Sequence, residues 1–397
     1  MNAVALRIGP DALYDLVAKV TFFAFFVFGP VWKFLETMFG FPRVNVSAIY
    51  LLCTVILLFL LLIKAAFSPR KLQGRPVFVA IVILLLWVLT IQIVQFFSLL
   101  QQVDWWTVLR YFSNTGVAPI LLTLLGKWYA ENEAQVVRTV QFSWYSSTLI
   151  YIFSYFYIGQ DFHREIVEAS VYLTLSDCYA IVSLLLMVSV RSQAKAVGFL
   201  VISFWVLFFL NSRFSFIAFV FACMAVIFVR NKLAAIAMAL LAVMALFLLG
   251  PFLVDILGPE HRMVRLFLFE NDSSLSGRMV LFRQELEFLR SNWVLGRYMY
   301  DVVATGLTGN YAHNYMSFLS AYGVGPALGL VCVIIASLST GVRQALHEHH
   351  VQAILAVLCF CLLGIIAARS YLYPYIWFAL AALASMRFSV LDDGKAN

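Results

Sequence analysis

The chain has 397 residues, of which 63% are hydrophobic and 12% charged, with a formal net charge of +7. A soluble globular domain carries roughly a quarter of its residues charged, so water is excluded as the main solvent. The positive balance does not make a nucleic-acid surface, because the basic residues are spread over many short loops and lipid orientation explains them better.

In chain order, apolar runs predict about twelve transmembrane helices. They lie at 14 to 34, 46 to 66, 77 to 98, 107 to 126, 138 to 158, 172 to 190, 197 to 211, 213 to 230, 233 to 254, 321 to 341, 351 to 367 and 372 to 388. A run of about twenty apolar residues crosses roughly 30 Å of hydrocarbon as a helix. Asp11 stands before the first run and Asp15 at its start, where a cleaved signal would be cationic, so that run is expected to be retained. All six cysteines fall in apolar stretches without zinc spacing and read as small buried residues. The expected fold is an all-α integral membrane protein, a single polytopic domain over 1–397. Its one sizeable excursion, 255–312, lies between the ninth and tenth helices and contains a short amphipathic helix.

Lys64, Lys71, Lys127, Lys195, Lys232 and Lys395 share one side of this map, which is expected to be cytoplasmic, with both termini there. The opposite side carries Arg43, Arg164, Arg213, Arg262, Arg265, Arg278, Arg283, Arg290, Arg297 and Arg369, with Lys33 near its edge. Arginine presents a planar fork that grips phosphate oxygens bidentately, so this face suggests a phosphorylated ligand. Pairing with the loop carboxylates Asp255, Glu260, Glu270, Asp272, Glu285, Glu287 and Asp301 is the alternative.

Within the loop, Asn271–Ser274 reads as a turn and Ser276 as a cap before Gly277 and Arg278. Met279, Phe282, Leu286, Leu289 and Trp293 recur at helical spacing, a face suited to the membrane domain or the interface. Arg283 and Arg290 have Glu287 at neighbour distance, whereas Arg278 has only Ser274, Leu275, Leu281 and Phe282 and must look beyond its own helix. Asn211-Ser212-Arg213 forms a polar break between two runs, and its arginine either snorkels or binds a ligand. Arg369 and Arg110 have the same two readings. His313, followed by Asn314, stands where the loop re-enters the membrane, and a neutral imidazole there could take a proton from a hydroxyl. His347, His349 and His350 have a spacing that could hold a metal, but a solvated loop explains them. His163 and His261 have no supporting pattern.

Taken in order, Ser212-Arg213, Gly277-Arg278 opening a loop helix, and His313-Asn314 with a downstream Gly323-Val324-Gly325 resemble the O-antigen ligase and polymerase family. The similarity covers roughly residues 205 to 335. Gly296-Arg297-Tyr298 stands where the family often has Gly-x-Gly. The resemblance implies a GT-C-like enzyme of the bacterial inner membrane. It would use glycans carried on undecaprenyl diphosphate at the periplasmic face, with lipid A core or a growing glycan as acceptor. By that resemblance Arg213 and Arg278 bind the diphosphate and His313 assists the acceptor hydroxyl, while Arg283, Arg369, Asn314 and Arg110 are further substrate-binding candidates.

The chemistry agrees: a departing diphosphate needs its growing charge stabilised, and arginines supply that without metal or cofactor. No Asp-x-Asp pair of the kind that holds a nucleotide-bound divalent ion occurs in the chain. A metal-independent, inverting glycosyltransferase is therefore expected, with ligase and polymerase left equal. The alternative is a transporter or flippase of lipid-linked glycans, for which Asp177 is the main carboxylate, and a third reading is a structural partner in polysaccharide export.

Overall fold

The computed structural model describes residues 9–67, 76–159, 162, 166–167, 171–190, 192–233, 263, 273–307, 312–346 and 348–386, with positions 235, 236, 240 and 244. Every regular element among them is helical. The first eight are α1 (Pro10–Phe23), α2 (Gly29–Phe39), α3 (Val46–Phe67), α4 (Pro76–Leu100), α5 (Trp105–Phe112), α6 (Ala118–Glu131), α7 (Glu133–Ile158) and α8 (Tyr172–Ser189). There follow α9 (Gln193–Phe209), α10 (Arg213–Arg230), α11 (Ser273–Asn292), α12 (Tyr300–Thr305), α13 (Met316–Tyr322), α14 (Val324–Ala345), α15 (His349–Ala367) and α16 (Ile376–Ser385). Helices occupy all the expected runs except 233 to 254, which lies largely outside the described residues.

Among the described residues, six continuous helices are long and apolar enough to cross a bilayer. Two of these, Asp11–Phe39 and Trp105–Glu131, each pass through a π-helical turn, at Ala24–Phe28 and Ser113–Val117. Apolar residues line the outside of the bundle: Leu52, Phe59 and Leu62 on α3, Ile83, Val94 and Phe97 on α4, and Leu149, Phe153 and Phe156 on α7 are all exposed. Leaving such side chains in water forfeits ~1.5–3 kcal/mol each, and hydrocarbon removes that cost. The chain is an all-α, multi-pass membrane protein.

Its centre is α16, buried along nearly its whole length, with α6, α15, α14 and α4 packed against it. Gly126 lets α6 approach the backbone of α16 at Phe378, where a Cβ would clash. One end of the bundle collects Asp11, Asp15, Lys19, Lys64, Lys127 and Glu131, with Trp128 Nε1 donating to Asp15 at 2.9 Å and Lys64 standing 3.4 Å from Asp11.

Three expected boundaries change. The tenth span begins earlier, as α13, and breaks at Gly323 (φ 78) before α14. The twelfth begins only at Ile376, because residues 368–375 run as a buried non-helical segment, tolerated where protein satisfies the backbone. The loop helix starts at Ser273, so Ser276 lies inside its first turn instead of capping it. Asn271 and Asp272 of the expected turn lie outside the described residues, as do Asp255, Glu260, Glu270, Arg164, Arg262, Arg265, Lys71, Lys395, His163, His261 and His347.

Candidate functional site

Three distant stretches meet at one end of the bundle: the start of α10, the segment after α15, and the returning loop. Asn211 takes a left-handed conformation (φ 58) that turns the chain sharply between α9 and α10. Ser212 then caps α10, its hydroxyl 2.7 Å from that of Ser215. The Ser215 hydroxyl donates to Asp177 Oδ1 at 2.6 Å. Arg369 closes the group with two parallel bonds to the same carboxylate, Nε to Oδ2 at 2.9 Å and Nη2 to Oδ1 at 2.8 Å. Its guanidinium also lies 4.9 Å from the Phe214 ring. Asp177 and Arg369 are 2% and 8% exposed, and a buried pair of this kind persists only when its hydrogen bonds are satisfied. Arg213 belongs to this turn, flanked by Ser212 and Phe214.

The loop is organised by Glu285, which is 0% exposed. Its carboxylate accepts from the Tyr300 hydroxyl at 2.6 Å, from the Ala312 backbone N–H at 3.1 Å and from the Ser320 hydroxyl. Three loop elements thereby converge on α11, and Ala312 is held directly before His313. Arg278 lies seven residues before Glu285, on the same helix face. Beyond α11 the chain crosses α13–α14 back to back: Arg297 N–H donates to Ser320 O at 2.7 Å and Val324 N–H to Trp293 O at 2.9 Å. Gly296 (φ 62) and Gly323 (φ 78) face each other at this crossing, where a Cβ on either would strike the other strand's backbone. This is the structural reason for a glycine at position 296.

His313 is half-buried at the junction of the two groups. Burial, then the charges of Arg278 and Arg369, push its pKa from 6.5 down to about 4. The imidazole is therefore neutral at physiological pH and can accept a proton. Asn314 shapes the next turn: its Oδ1 accepts from Met316 N–H at 2.9 Å, and its carbonyl accepts from the Ser317 hydroxyl at 2.8 Å. Ser317 Oγ in turn accepts from Tyr371 N–H at 2.9 Å, tying this turn to the Arg369 segment. The Tyr371 hydroxyl donates to Asp301 Oδ1 at 3.3 Å, while Asp301 Oδ2 is buried with no hydrogen-bond partner among the described residues. Burial above all raises the Asp301 pKa from 3.8 to about 6.

The structure thus gathers His313, Arg278, Arg369, Asn314 and the turn carrying Arg213. Arg283 falls elsewhere, roughly 140° around α11 from Arg278 and exposed. Arg110 sits on the exposed side of α5. The expected pairing of Arg283 and Arg290 with Glu287 does not form: all three are exposed and no ion pair joins them among the described residues. The expected apolar face of α11 also divides, with Phe282 and Leu289 turned inward beside Glu285 and Met279, Leu286 and Trp293 outward. His350 pairs with Glu348 at 3.0 Å and His349 lies 3.4 Å from Gln352. No metal-binding group is found among the described residues.

Asp177, weighed in the sequence as a transport carboxylate, is the partner of Arg369. Glu285 was lost among the loop charges, although its seven-residue spacing from Arg278 marks it as sharing that face. Ser215, Ser317 and Asp301 left no signal of their own. Compared with known proteins, the chain matches no family model and no curated sequence.

Proposed function

We propose that this chain is a membrane glycosyltransferase of the O-antigen ligase and polymerase type. It moves a glycan from undecaprenyl diphosphate to a sugar hydroxyl at the periplasmic face of a bacterial inner membrane, with about twelve spans and cytoplasmic termini. The observation that carries this reading is a convergence of separate elements: Ala312, directly before His313, is bonded to Glu285 on the helix that carries Arg278, and Ser317, just after it, is bonded to Tyr371, two residues past Arg369. Further support comes from a cavity of about 230 Å³ lined by Tyr151, Tyr155, Phe156, Trp205 and Phe209. Leu210, directly before Asn211-Ser212-Arg213, also lines it, a suitable bed for an isoprenoid tail whose diphosphate reaches the arginines.

In the reaction, Arg278, with Arg213, holds the donor diphosphate, and the Asp177–Arg369 pair fixes the floor beneath His313. The acceptor oxygen bonds to the anomeric carbon as the carbon–oxygen bond to the diphosphate breaks. The departing electron pair stays on the phosphate oxygen, under arginine charge, and the hydroxyl proton passes to the neutral His313 ring. A single displacement inverts the anomeric configuration. A bound diphosphate offsets the two arginine charges that depress His313, so donor binding itself makes the imidazole more basic. Ligation to lipid A core and polymerisation of repeat units share this chemistry. The transporter reading loses its main carboxylate, because Asp177 is saturated by Arg369 and Ser215.

The test is complementation of polysaccharide-defective hosts with wild type, Arg278→Ala and His313→Ala, resolving surface glycan and lipid-linked intermediates by size. Both variants are expected to reach the membrane and accumulate lipid-linked donor, with loss of ~10²–10⁴ in transfer for the histidine. Donor size separates polymerase from ligase. Variants that match wild type, or retained configuration in the product, overturn the mechanism.

A further inference from the structure

The outward face of α11 carries a stripe with no role in the site just described. Met279, Leu286 and Trp293 stand seven residues apart and are all exposed, and Leu295, just beyond, is 77% exposed. Between them on the same face lie Arg283 and Arg290, exposed and without an ion pair among the described residues. Apolar residues alternating with cations along one helical face describe a surface for an anionic lipid interface, where side chains dip below the headgroups and arginines take the phosphates. The height of this face is also fixed. The Val324–Trp293 backbone bond ties the end of α11 to the first residue of the membrane-spanning helix Val324–Ala345, and Arg297–Ser320 ties the following residues to α13, which places Trp293 and Leu295 level with the bilayer boundary, where tryptophan concentrates.

We infer that α11 lies on the bilayer surface at the site's end of the bundle as an interfacial anchor. Met279, Leu286, Trp293 and Leu295 enter the acyl boundary, and Arg283 and Arg290 bind phospholipid phosphates. The inference rests on the membrane character of the chain and is independent of the transferase reading. One helix then divides its arginines by face, Arg278 inward to His313 and Arg283 and Arg290 outward to lipid.

The experiment places an environment-sensitive nitrobenzoxadiazole label at Leu286→Cys, at Leu295→Cys and, as a control on the exposed flank, at Gln284→Cys. The parent carries Cys332→Ser, because Cys332 is exposed, and its background is subtracted. Proteins are reconstituted in phosphatidylcholine nanodiscs with and without phosphatidylglycerol, and quenching by bromo-lipids is read. Labels at 286 and 295 are expected to shift to the blue and to be quenched several-fold more than at 284. Phosphatidylglycerol should deepen quenching at 286, and R283Q/R290Q should abolish that increment. Equal quenching at 286 and 284 overturns the anchor, and an increment that survives R283Q/R290Q overturns the arginine assignment.

Discussion

At the scale of single residues, the sharpest consequences follow from buried charge. Asp177→Asn strands the Arg369 cation where only 8% of the residue is exposed, and breaking one side of such a pair costs ~3–5 kcal/mol. Thermal unfolding in detergent is expected to show that loss, with Asp177→Asn/Arg369→Met recovering most of it; a double variant no better than the single one would remove the pair from the account. The two titrating groups act in opposite directions. His313 is depressed from 6.5 to about 4, so its contribution to stability is intact above pH 6.5 and is lost as pH falls towards 4. Carbethoxylation, which needs the neutral ring, should persist at His313 at pH 5, and Arg278→Gln should move its midpoint upward. A midpoint at 6.5 in both proteins would contradict the coupling. Asp301 is raised from 3.8 to about 6, so its stabilising neutral form is complete below 3.8 and lost as pH rises through about 6. Asp301→Asn should therefore stabilise at pH 8, by ~3 kcal/mol at most, and progressively less towards pH 4. A gain independent of pH would point to packing instead. His313 and Arg278 could be singled out in the sequence because each lacks a local explanation. The Asp177–Arg369 pair could not, since its members lie 192 residues apart and periodicity carries no information at that range.

Among elements, the loop depends on one carboxylate. Glu285→Ala removes the acceptor for Tyr300, Ala312 and Ser320 together; hydrogen bonds to charged groups contribute ~1.5–3 kcal/mol each, enough to release α12 and the His313 turn from α11. Limited proteolysis is expected to cut the 300–315 region faster in this variant while the membrane helices stay intact, and an unchanged cleavage pattern would show that packing alone holds the loop. The loop helix was readable from its spacing, but its orientation was not. Hydrophobic periodicity puts Phe282, Leu286, Leu289 and Trp293 on one face, for the membrane domain or the interface, whereas Glu285 owns the inward face because its polar partners sit there and only Phe282 and Leu289 turn in beside it. A bilayer changes the usual rule, since an outward apolar stripe loses nothing when lipid meets it. The π-turn Ser113–Val117 also left no sequence trace. It frees the Thr115 carbonyl to accept from Gln92 at 3.1 Å, while the Thr115 hydroxyl meets that of Tyr298 at 2.8 Å, pinning the returning loop to α4 and α5–α6.

For the whole molecule, hydropathy alone located nearly every helix, because a span must be apolar for its full length whatever it packs against. What hydropathy could not supply is order around the centre. α16 is only ten residues long, roughly 15 Å of helix, and it sits innermost because small residues such as Ala379, Ala381 and Ala382 let α6 close on it. Orientation rests on a different argument. Lys64 and Lys127 meet at one end of the bundle through Glu131, and His313 and Arg369 belong to connections on the opposite side of the alternating helices. If lysine marks the cytoplasm, Lys232→Cys and Ala304→Cys, both at exposed positions, report opposite compartments. Intact cells treated with a membrane-impermeant maleimide should label the cysteine at 304 and spare the one at 232 until the inner membrane is opened. Labelling of both from outside would break the alternation of helices, and the reverse pattern would put the arginine-rich site in the cytoplasm, where a lipid-linked donor awaiting export and not transfer would be its natural ligand.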